Sequence, residues 1–182
     1  MFELDAFLDE CRTAGRETEP RLAVRDVLAR NLARAGEIAE SLAPSEGGLS
    51  VLHQADDLTV LHVVWAPGMV LYPHDHQMWA VIGIYAGQED NTFYRRDGKH
   101  LIESGGKRLE VRDVAVLGDD TIHQVANPWS KLTGAIHVYG GDFVNQPRSQ
   151  WGPGERVERP YDFDEARQQF VEANAAWRAA AD

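Results

Sequence analysis

Cysteine is nearly absent from this chain, which has 182 residues and only one cysteine, Cys11. A single cysteine cannot form a disulfide within the chain, so a reducing compartment such as the cytoplasm is the expected location. Cys11 lies on a helical stripe with Phe7 and Leu8, and no His or Lys stands close to it in the sequence to activate it. We therefore expect a packed structural thiol.

Positive charge is also scarce, with 18 Lys and Arg against 29 Asp and Glu and a net charge of −11. Nucleic acids and anionic membranes are bound through clustered Lys and Arg, so neither is an expected partner. No apolar run is long enough to span a bilayer, and no cleavable signal segment is expected. The composition, 43% hydrophobic and 26% charged, is typical of a globular protein.

The length of the chain and the order of its patterns predict one domain, residues 1–182, in three parts. Residues 1–44 repeat apolar residues at helical spacing and are expected to form two helices, the second beginning near Pro20. Residues 49–140 are expected to form a β-barrel. Residues 141–182 are expected to form a long loop, which extends from Gly140 to Pro160, and a helix from about Asp164 to Ala181.

The middle part is rich in β-branched and aromatic side chains, in short runs separated by turns that contain Gly, Pro and Asp. The predicted strands are Leu49–His53, Leu58–Trp65, Met78–Tyr85, Thr92–Arg96, Arg108–Val111, Val114–Leu117, Thr121–Val125 and Gly134–Tyr139. Short strands in about this number, with no helix between them, favour an antiparallel sandwich or barrel.

Two histidines, His74 and His76, stand directly before the strand that begins at Met78. Residues two apart on a strand point to the same face, so the two imidazoles are expected to converge on one point. His123, after the turn at Gly118, supplies a third imidazole. Three neutral imidazoles on a rigid sheet make a divalent-metal site that leaves coordination positions open for a substrate, and such a site favours catalysis.

The spacing of these residues resembles the two motifs of the cupin superfamily. The motifs are carried by His74, His76, Gly87, Gly118, His123 and Asn127. The resemblance implies a mainly β fold, the cupin double-stranded β-helix or jelly-roll barrel, here with N-terminal helices and a C-terminal helix. Many metal cupins carry a glutamate four or five residues after the second histidine, where this chain has Ala80 and Val81. The next carboxylates, Glu89 and Asp90, lie too far along the chain to replace it.

A set of three histidines without a carboxylate resembles the thiol dioxygenases, the cysteine dioxygenase family within the cupins. Ala135, His137 and Tyr139 look like the Ser-x-His-x-Tyr element that extends from the metal pocket in that family. Alanine stands here in place of the serine, so a water or a hydroxyl such as that of Thr133 is expected to orient His137.

Two further positions favour the bacterial type of this family, which oxidises 3-mercaptopropionate. The animal type carries a cysteine, cross-linked to the tyrosine, where this chain has Val81. The bacterial enzymes lack that cysteine and hold the substrate carboxylate with an arginine nine residues after the tyrosine, the position of Arg148. A guanidinium binds a carboxylate through two parallel hydrogen bonds.

The resemblance implies a non-haem Fe(II) enzyme that uses O2 to oxidise a small thiol, such as 3-mercaptopropionate or cysteine, to a sulfinate. One iron per chain would be bound by the three histidines, with Tyr139 and His137 as catalytic residues and Arg148 as the substrate-binding residue. Nickel, copper or zinc would suit the same ligands. Two alternatives stay open: another metal-dependent cupin oxygenase or lyase for a small carboxylate, and a non-enzymatic ligand-binding cupin. Monomer and homodimer both fit the sequence.

The remaining candidates have simpler interpretations. His62 alternates with apolar residues on a strand and is expected to be a structural histidine rather than a fourth ligand. His53 and His100 lie near turns and are expected to be exposed. Asp119 and Asp120 are expected to form the turn before the third metal histidine, with a hydrogen bond to its imidazole as the alternative.

Overall fold

A computed structural model describes residues 1–98, 100–153 and 157–180. Three helices come first: α1 (Leu4–Ala14), α2 (Pro20–Leu32) and α3 (Ala35–Leu42). The prediction of two helices was wrong, because the chain turns after α2 and Arg34 leaves the helical backbone region with φ −111° and ψ 42°. The apolar stripe continues across this turn, since Leu32 and Ala35 are both buried.

Strands occupy the middle of the chain, and eleven lie in the described ranges. They are β1 (Gly48–Gln54), β2 (Thr59–Trp65), β3 (Val70–Asp75), β4 (Ala80–Ala86), β5 (Gln88–Asp97), β6 (His100–Glu110), β7 (Val114–Leu117), β8 (Ile122–Ala126), β9 (Thr133–Tyr139), β10 (Ser149–Trp151) and β11 (Glu158–Pro160). Each of the eight predicted strands corresponds to one of these. His74 lies on β3 as expected, whereas His76 follows the end of that strand.

The strands form two antiparallel sheets. One has the order β1-β2-β9-β4-β7, and the other has the order β11-β10-β3-β8-β5-β6. Strands β2 to β9 supply four neighbours to each sheet, β2-β9-β4-β7 and β3-β8-β5-β6. This interleaving of two Greek keys is the jelly-roll arrangement, the double-stranded β-helix. The predicted mainly β jelly-roll fold with helices at both ends is confirmed.

The central strands of the five-stranded sheet, β2, β4 and β9, are buried on both faces, which explains why they read as nearly continuous apolar runs. Along β2, Leu61 and Val63 point into the barrel, whereas Val60 packs against the N-terminal helices. Cys11 lies in this second core without solvent exposure, and burial raises the pKa of its thiol to about 12. Such a thiol has the packed, unreactive character that the sequence predicts.

The segment from Gly140 to Pro160 is not the structureless loop that the sequence predicts, because it contains β10 and β11. Gln150 of β10 pairs with His74 of β3, so the segment extends the six-stranded sheet. Three-residue strands are too short to show a sequence period, and they form here because the outer edge of β3 offers unpaired backbone groups.

The C-terminal helix, α4 (Phe163–Ala179), begins at Asp162, whose side chain caps it by accepting hydrogen bonds from the backbone N–H groups of Asp164 and Glu165. Its predicted end, Ala181, lies outside the described residues. Phe170 packs into the barrel core from this helix. Among the described helices, none combines the length and apolar character needed to cross a membrane.

Candidate metal centre

The three predicted histidines lie together inside the barrel. His74 on β3 is the direct cross-strand partner of His123 on β8, and His76 follows two residues after His74. Each histidine offers one ring nitrogen, and the three nitrogens lie within 4.8 Å of one another. All three side chains are buried.

Two of the three histidines have the separation expected of ligands to one metal ion. The Nε2 atoms of His76 and His123 lie 3.2 Å apart. Two nitrogens that bind one metal at about 2.1 Å are separated by roughly 3.0–3.4 Å at octahedral or tetrahedral angles. The Nδ1 atom of His74 donates to the Tyr72 carbonyl at 2.9 Å, and that of His123 donates to the Asn91 amide oxygen at 2.7 Å. Both bonds leave Nε2 as the ligand atom.

The protonation state of the cluster also suits metal binding. Burial lowers the pKa of His74 to about 4. Burial, followed by the charges of neighbouring imidazoles, lowers the pKa of His76 and of His123 well below the ordinary value. The neutral imidazole is the form that binds metals. Among the described residues no carboxylate joins the cluster, and Ala80 faces the barrel interior near the position where many metal cupins have glutamate.

Asp75, between the first two histidines, points away from the cluster and binds three other parts of the chain. Its buried carboxylate accepts hydrogen bonds from the Ser149 backbone N–H at 2.8 Å, the Gln77 amide at 2.6 Å and the Arg96 guanidinium at 3.1 Å. Arg96 also pairs with Glu158 at 2.8 Å. These contacts hold β10 and β11 against the segment that carries His74 and His76.

The predicted pair His137 and Tyr139 lies on the inner face of β9, next to the cluster. The Nδ1 atom of His137 is 3.0 Å from the Tyr139 hydroxyl. The Tyr139 ring meets His76 edge-on, with ring centroids 5.0 Å apart. Burial raises the pKa of Tyr139, so its hydroxyl keeps its proton.

The imidazole of His137 faces Glu89, a residue that the sequence did not predict to lie beside it. Its Nε2 atom faces the carboxylate of Glu89 at 3.4 Å, without the geometry of a hydrogen bond, and both side chains are buried. The suggested partner, Thr133, is wrong, because its hydroxyl donates to the Gln88 carbonyl at 2.8 Å and accepts from the Gln88 N–H at 3.0 Å. Glu89 is indeed too far from the cluster to be a ligand, but it contacts the neighbouring histidine.

Two side chains donate hydrogen bonds to Glu89. Its Oε2 atom accepts from the Trp65 indole N–H at 2.7 Å, and its Oε1 atom accepts from the Asn91 amide at 2.9 Å. Burial acts to raise the pKa of Glu89, but the contacts with His137, Asn91 and Trp65 outweigh burial, so the pKa is lowered and the carboxylate keeps its charge. Glu89, Asn91 and Phe93 alternate along β5 and therefore share a face, a signal that the predicted strand missed because it began only at Thr92.

Arg148 is buried in the segment after β9. Its guanidinium lies between the rings of Phe143 and Tyr161, at 4.0 and 3.9 Å from the ring centroids. Its Nη1 atom donates to the backbone carbonyls of Phe143 and Gln146. Its Nε and Nη2 atoms are buried and have no partner of good hydrogen-bond geometry within the described ranges, although the Tyr161 side chain lies close enough to the guanidinium to oppose the lowering of its pKa by burial. Half of the guanidinium is therefore available to a ligand.

Each ring that sandwiches Arg148 also touches the histidine cluster. Phe143 stacks on Tyr139 at 3.9 Å and meets His76 at 5.7 Å, whereas Tyr161 lies 5.8 Å from His74. One aromatic layer thus separates the guanidinium from the candidate metal ligands. Burial lowers the pKa of Arg148, an effect that the Tyr161 and Tyr139 hydroxyls oppose.

The cavity beside the histidines is small and mainly apolar. Its volume is about 20 Å³, and its walls include His74, His123, Tyr139, Phe143 and Tyr161. A cavity of this size holds about one water molecule. Arg148 also lines a depression of about 520 Å³ on the surface of the protein.

The other sequence candidates lie outside this site. His62 points to the opposite face of β2 and shares a 2.6 Å hydrogen bond with the Tyr85 hydroxyl. His100 is exposed as expected, but His53 is half-buried. Asp119 and Asp120 are exposed in their turn, and Asn91, rather than either of them, holds the imidazole of His123.

No protein-family model matches the chain. Among solved structures, a conserved protein with a double-stranded β-helix domain from Klebsiella pneumoniae is similar, with 19% identity over 59% of this chain and 82% of that chain and a TM-score of 0.46. An RmlC-like cupin family protein from Methanocaldococcus jannaschii has 11% identity over 56% of this chain and 85% of that chain, with a TM-score of 0.47. A cupin superfamily protein from Desulfitobacterium hafniense has 18% identity over 54% of this chain and 83% of that chain, with a TM-score of 0.44.

Proposed function

We propose that this protein is a cupin-type, Fe(II)-dependent thiol dioxygenase for a small thiol that carries a carboxylate, such as 3-mercaptopropionate or cysteine. The reaction adds both atoms of O2 to sulfur and converts R–SH into the sulfinic acid R–SO2H. The observation that carries the proposal is the half-unpaired guanidinium of Arg148, one aromatic layer away from three buried histidines.

Arg148 supports an anionic substrate. A buried guanidinium that leaves two donor atoms unpaired is destabilising until an acceptor arrives. A carboxylate supplies two oxygens at the right separation for a bidentate pair with Nε and Nη2. Its short chain would then direct the thiol toward the histidines, past the rings of Phe143 and Tyr161.

His74, His76 and His123 are the proposed ligands of one ferrous ion per chain. When bound, the iron supplies the redox chemistry that allows O2 to react with a thiol. Three imidazoles also suit nickel, copper and zinc. Metal content is therefore part of the test.

The other side chains of the site bind, orient and exclude water. Tyr139 presents its hydroxyl oxygen beside His76, where the oxygen can accept a hydrogen bond from the thiol group of a substrate. His137 holds that hydroxyl in place through the 3.0 Å contact. The apolar walls, which include Leu61 and Val63, keep bulk water from the reacting atoms.

The test is oxygen consumption by iron-loaded protein with 3-mercaptopropionate, cysteine and cysteamine, together with mass spectrometry of the product. We expect one O2 per thiol and a sulfinate product for the two carboxylate thiols, and a much weaker reaction with cysteamine. His62→Ala serves as a control, since His62 lies on the other face of β2.

Three results would contradict the thiol assignment. No uptake with any thiol at full iron occupancy removes it. Oxygen uptake or conversion with a small carboxylate that lacks sulfur favours the oxygenase or lyase alternative. Ligand binding that survives His76→Ala in metal-free protein favours a binding module.

We further propose a cytoplasmic monomer or homodimer without a nucleic-acid or membrane partner, which light scattering and cell fractionation would check.

A further inference from the structure

Glu89 is a charged side chain in the interior of the barrel, with no solvent exposure. A buried carboxylate is retained only where donors compensate for its lost hydration. Trp65 and Asn91 donate hydrogen bonds to it. His137 adds a third contact, because its buried Nε2 atom faces the carboxylate at 3.4 Å without the geometry of a hydrogen bond. Two of these three lead directly to the candidate metal centre, so the carboxylate serves the site as well as the fold.

The first path determines which nitrogen of His137 carries the proton. A carboxylate accepts and does not donate, so the nitrogen that faces it, Nε2, has to be the N–H. In the neutral ring Nδ1 is then an acceptor, and the Tyr139 hydroxyl donates its hydrogen to it across 3.0 Å. The lone pairs of the Tyr139 oxygen are then free to accept a hydrogen bond on the side of the histidine cluster.

The second path determines the orientation of a candidate ligand. The Asn91 amide nitrogen donates to Oε1 of Glu89 at 2.9 Å, which turns its amide oxygen toward His123. That oxygen accepts from Nδ1 of His123 at 2.7 Å and leaves Nε2 for a metal. A reversed Asn91 amide would set its oxygen against the Glu89 carboxylate and its N–H group against the Nδ1–H of His123, so both hydrogen bonds would be lost.

We propose that Glu89 is a positioning residue that fixes the protonated nitrogen of both His137 and His123 and so aligns Tyr139 with the metal centre. The inference rests on the proposed function for the roles of His137 and Tyr139. The arrangement of protons is a property of the fold, and it is measurable without any thiol.

The first experiment is ¹⁵N NMR of zinc-loaded protein labelled at histidine, with His137→Gln used to assign the His137 signals. We expect His137 to be protonated at Nε2 and His123 at Nδ1. In Glu89→Gln we expect the His137 signals to move toward the Nδ1–H form. A wild-type His137 that carries its proton only on Nδ1 overturns the proposal, and this result does not require the variant to fold.

Asp90→Asn is the matched control. It removes the neighbouring carboxylate of β5, which is paired with Arg108 at 3.0 Å on the outside of the sheet. We expect the wild-type histidine signals in Asp90→Asn and altered ones in Glu89→Gln. Equal signals in the wild type and in both variants overturn the proposal.

The second experiment separates a positioning role from a general structural one by steady-state kinetics with 3-mercaptopropionate. We expect Glu89→Gln to lower kcat by about tenfold or more with little change in KM, because the lost alignment acts on the reaction rather than on carboxylate binding. The double variant Glu89→Gln/His137→Gln should be no slower than His137→Gln alone, since the two residues act as one unit. Independent, multiplying losses overturn the proposal. A protein that oxidises no thiol but shows the expected NMR signals refutes the proposed function and leaves the proton arrangement in place.

Discussion

His74 and His123 face each other as direct partners of the β3 and β8 ladder, with ring centroids 4.7 Å apart. Their separation is therefore set by backbone hydrogen bonds of a sheet and not by the metal. His76 completes the set from the turn after β3, where Gln77 adopts a positive φ of 55°. A site built on strands in this way is preorganised, so its ligands lose little freedom when an ion binds.

Loss of one imidazole should abolish tight metal binding without unfolding the barrel. We expect His76→Ala and His123→Ala to contain less than about a tenth of the wild-type metal, whereas His62→Ala keeps one ion per chain. Removal of the metal from the wild type should lower the melting temperature, since an ion present at about 1,000 times its Kd stabilises the folded state by about 4 kcal/mol. Elemental analysis and calorimetry measure both effects, and full occupancy in His76→Ala would rule out the assigned ligands.

Replacement of Arg148 should affect substrates according to their carboxylate. Arg148→Gln is expected to raise KM for 3-mercaptopropionate about 10- to 100-fold, which corresponds to the loss of about 1.5–3 kcal/mol for a charged hydrogen-bonded pair. The reaction with cysteamine, which has no carboxylate, should change little. Arg159→Gln is the control, since Arg159 belongs to the same segment but pairs with Glu165 at the surface. Equal KM changes for both thiols would contradict carboxylate binding by Arg148.

Gly87 should be intolerant of a side chain. Its φ is +76°, and a Cβ added there would lie 2.4 Å from the Thr133 hydroxyl oxygen and 2.9 Å from its Cα. Gly87→Ala should therefore cost about 3 kcal/mol or more in the free energy of unfolding, from backbone strain and overpacking together. Gly98→Ala has a similar φ of +59°, and no atom of the described residues beyond its chain neighbours lies within 4 Å of the added Cβ, so it should cost about 1 kcal/mol. Urea unfolding of the two variants checks the difference, and equal costs would contradict the close contact.

His62 should make folding stability depend on pH. Burial lowers the pKa of His62, so the unfolded chain binds a proton there that the folded chain does not. Stability from this group is present above the ordinary pKa of about 6.5 and is lost as pH falls through that value toward the folded-state pKa. We expect metal-free His62→Gln to lose less stability than the wild type between about pH 7.5 and 5.5. Identical slopes of unfolding free energy against pH would refute this contribution.

The thiol of Cys11 should be nearly inert in the folded protein. With a pKa raised to about 12, its thiolate fraction at pH 8 is very small. Compared with an unfolded chain, whose thiol pKa is about 8.5, modification by a disulfide reagent should be at least about 100-fold slower. Absorbance at pH 8 with and without denaturant measures the two rates. Rapid labelling of the native protein would show that the N-terminal core opens readily.

The sequence was most informative where a local period reports directly on burial. Strands β2, β4 and β9 read as apolar runs because both of their faces are covered, and the His-x-His spacing places two imidazoles near one point. The same apolar runs do not predict side-chain direction. In a strand without a polar face, the sequence does not indicate whether the His62 side chain points toward the candidate metal centre or away from it. The structure decides this through the Tyr85 hydrogen bond.

Contacts set by strand order were beyond the reach of local pattern. Glu89 and His137 lie far apart in sequence and on different sheets, and their contact depends on how the barrel closes. For the same reason the short strand β10 was missed, since it exists only because β3 offers its edge.

The cavity of about 20 Å³ beside the histidines has a consequence for affinity. It has room for about one water molecule, and a three-carbon thiol acid occupies several times that volume. Under the proposed function, the stack of Phe143, Arg148 and Tyr161 has to separate before such a substrate enters, and the stacked arrangement would then be the closed member of a two-state equilibrium. The apparent dissociation constant then equals the intrinsic one divided by the open fraction. A looser stack, as in Phe143→Leu, would bind substrate more tightly by increasing that fraction, even though it removes a contact.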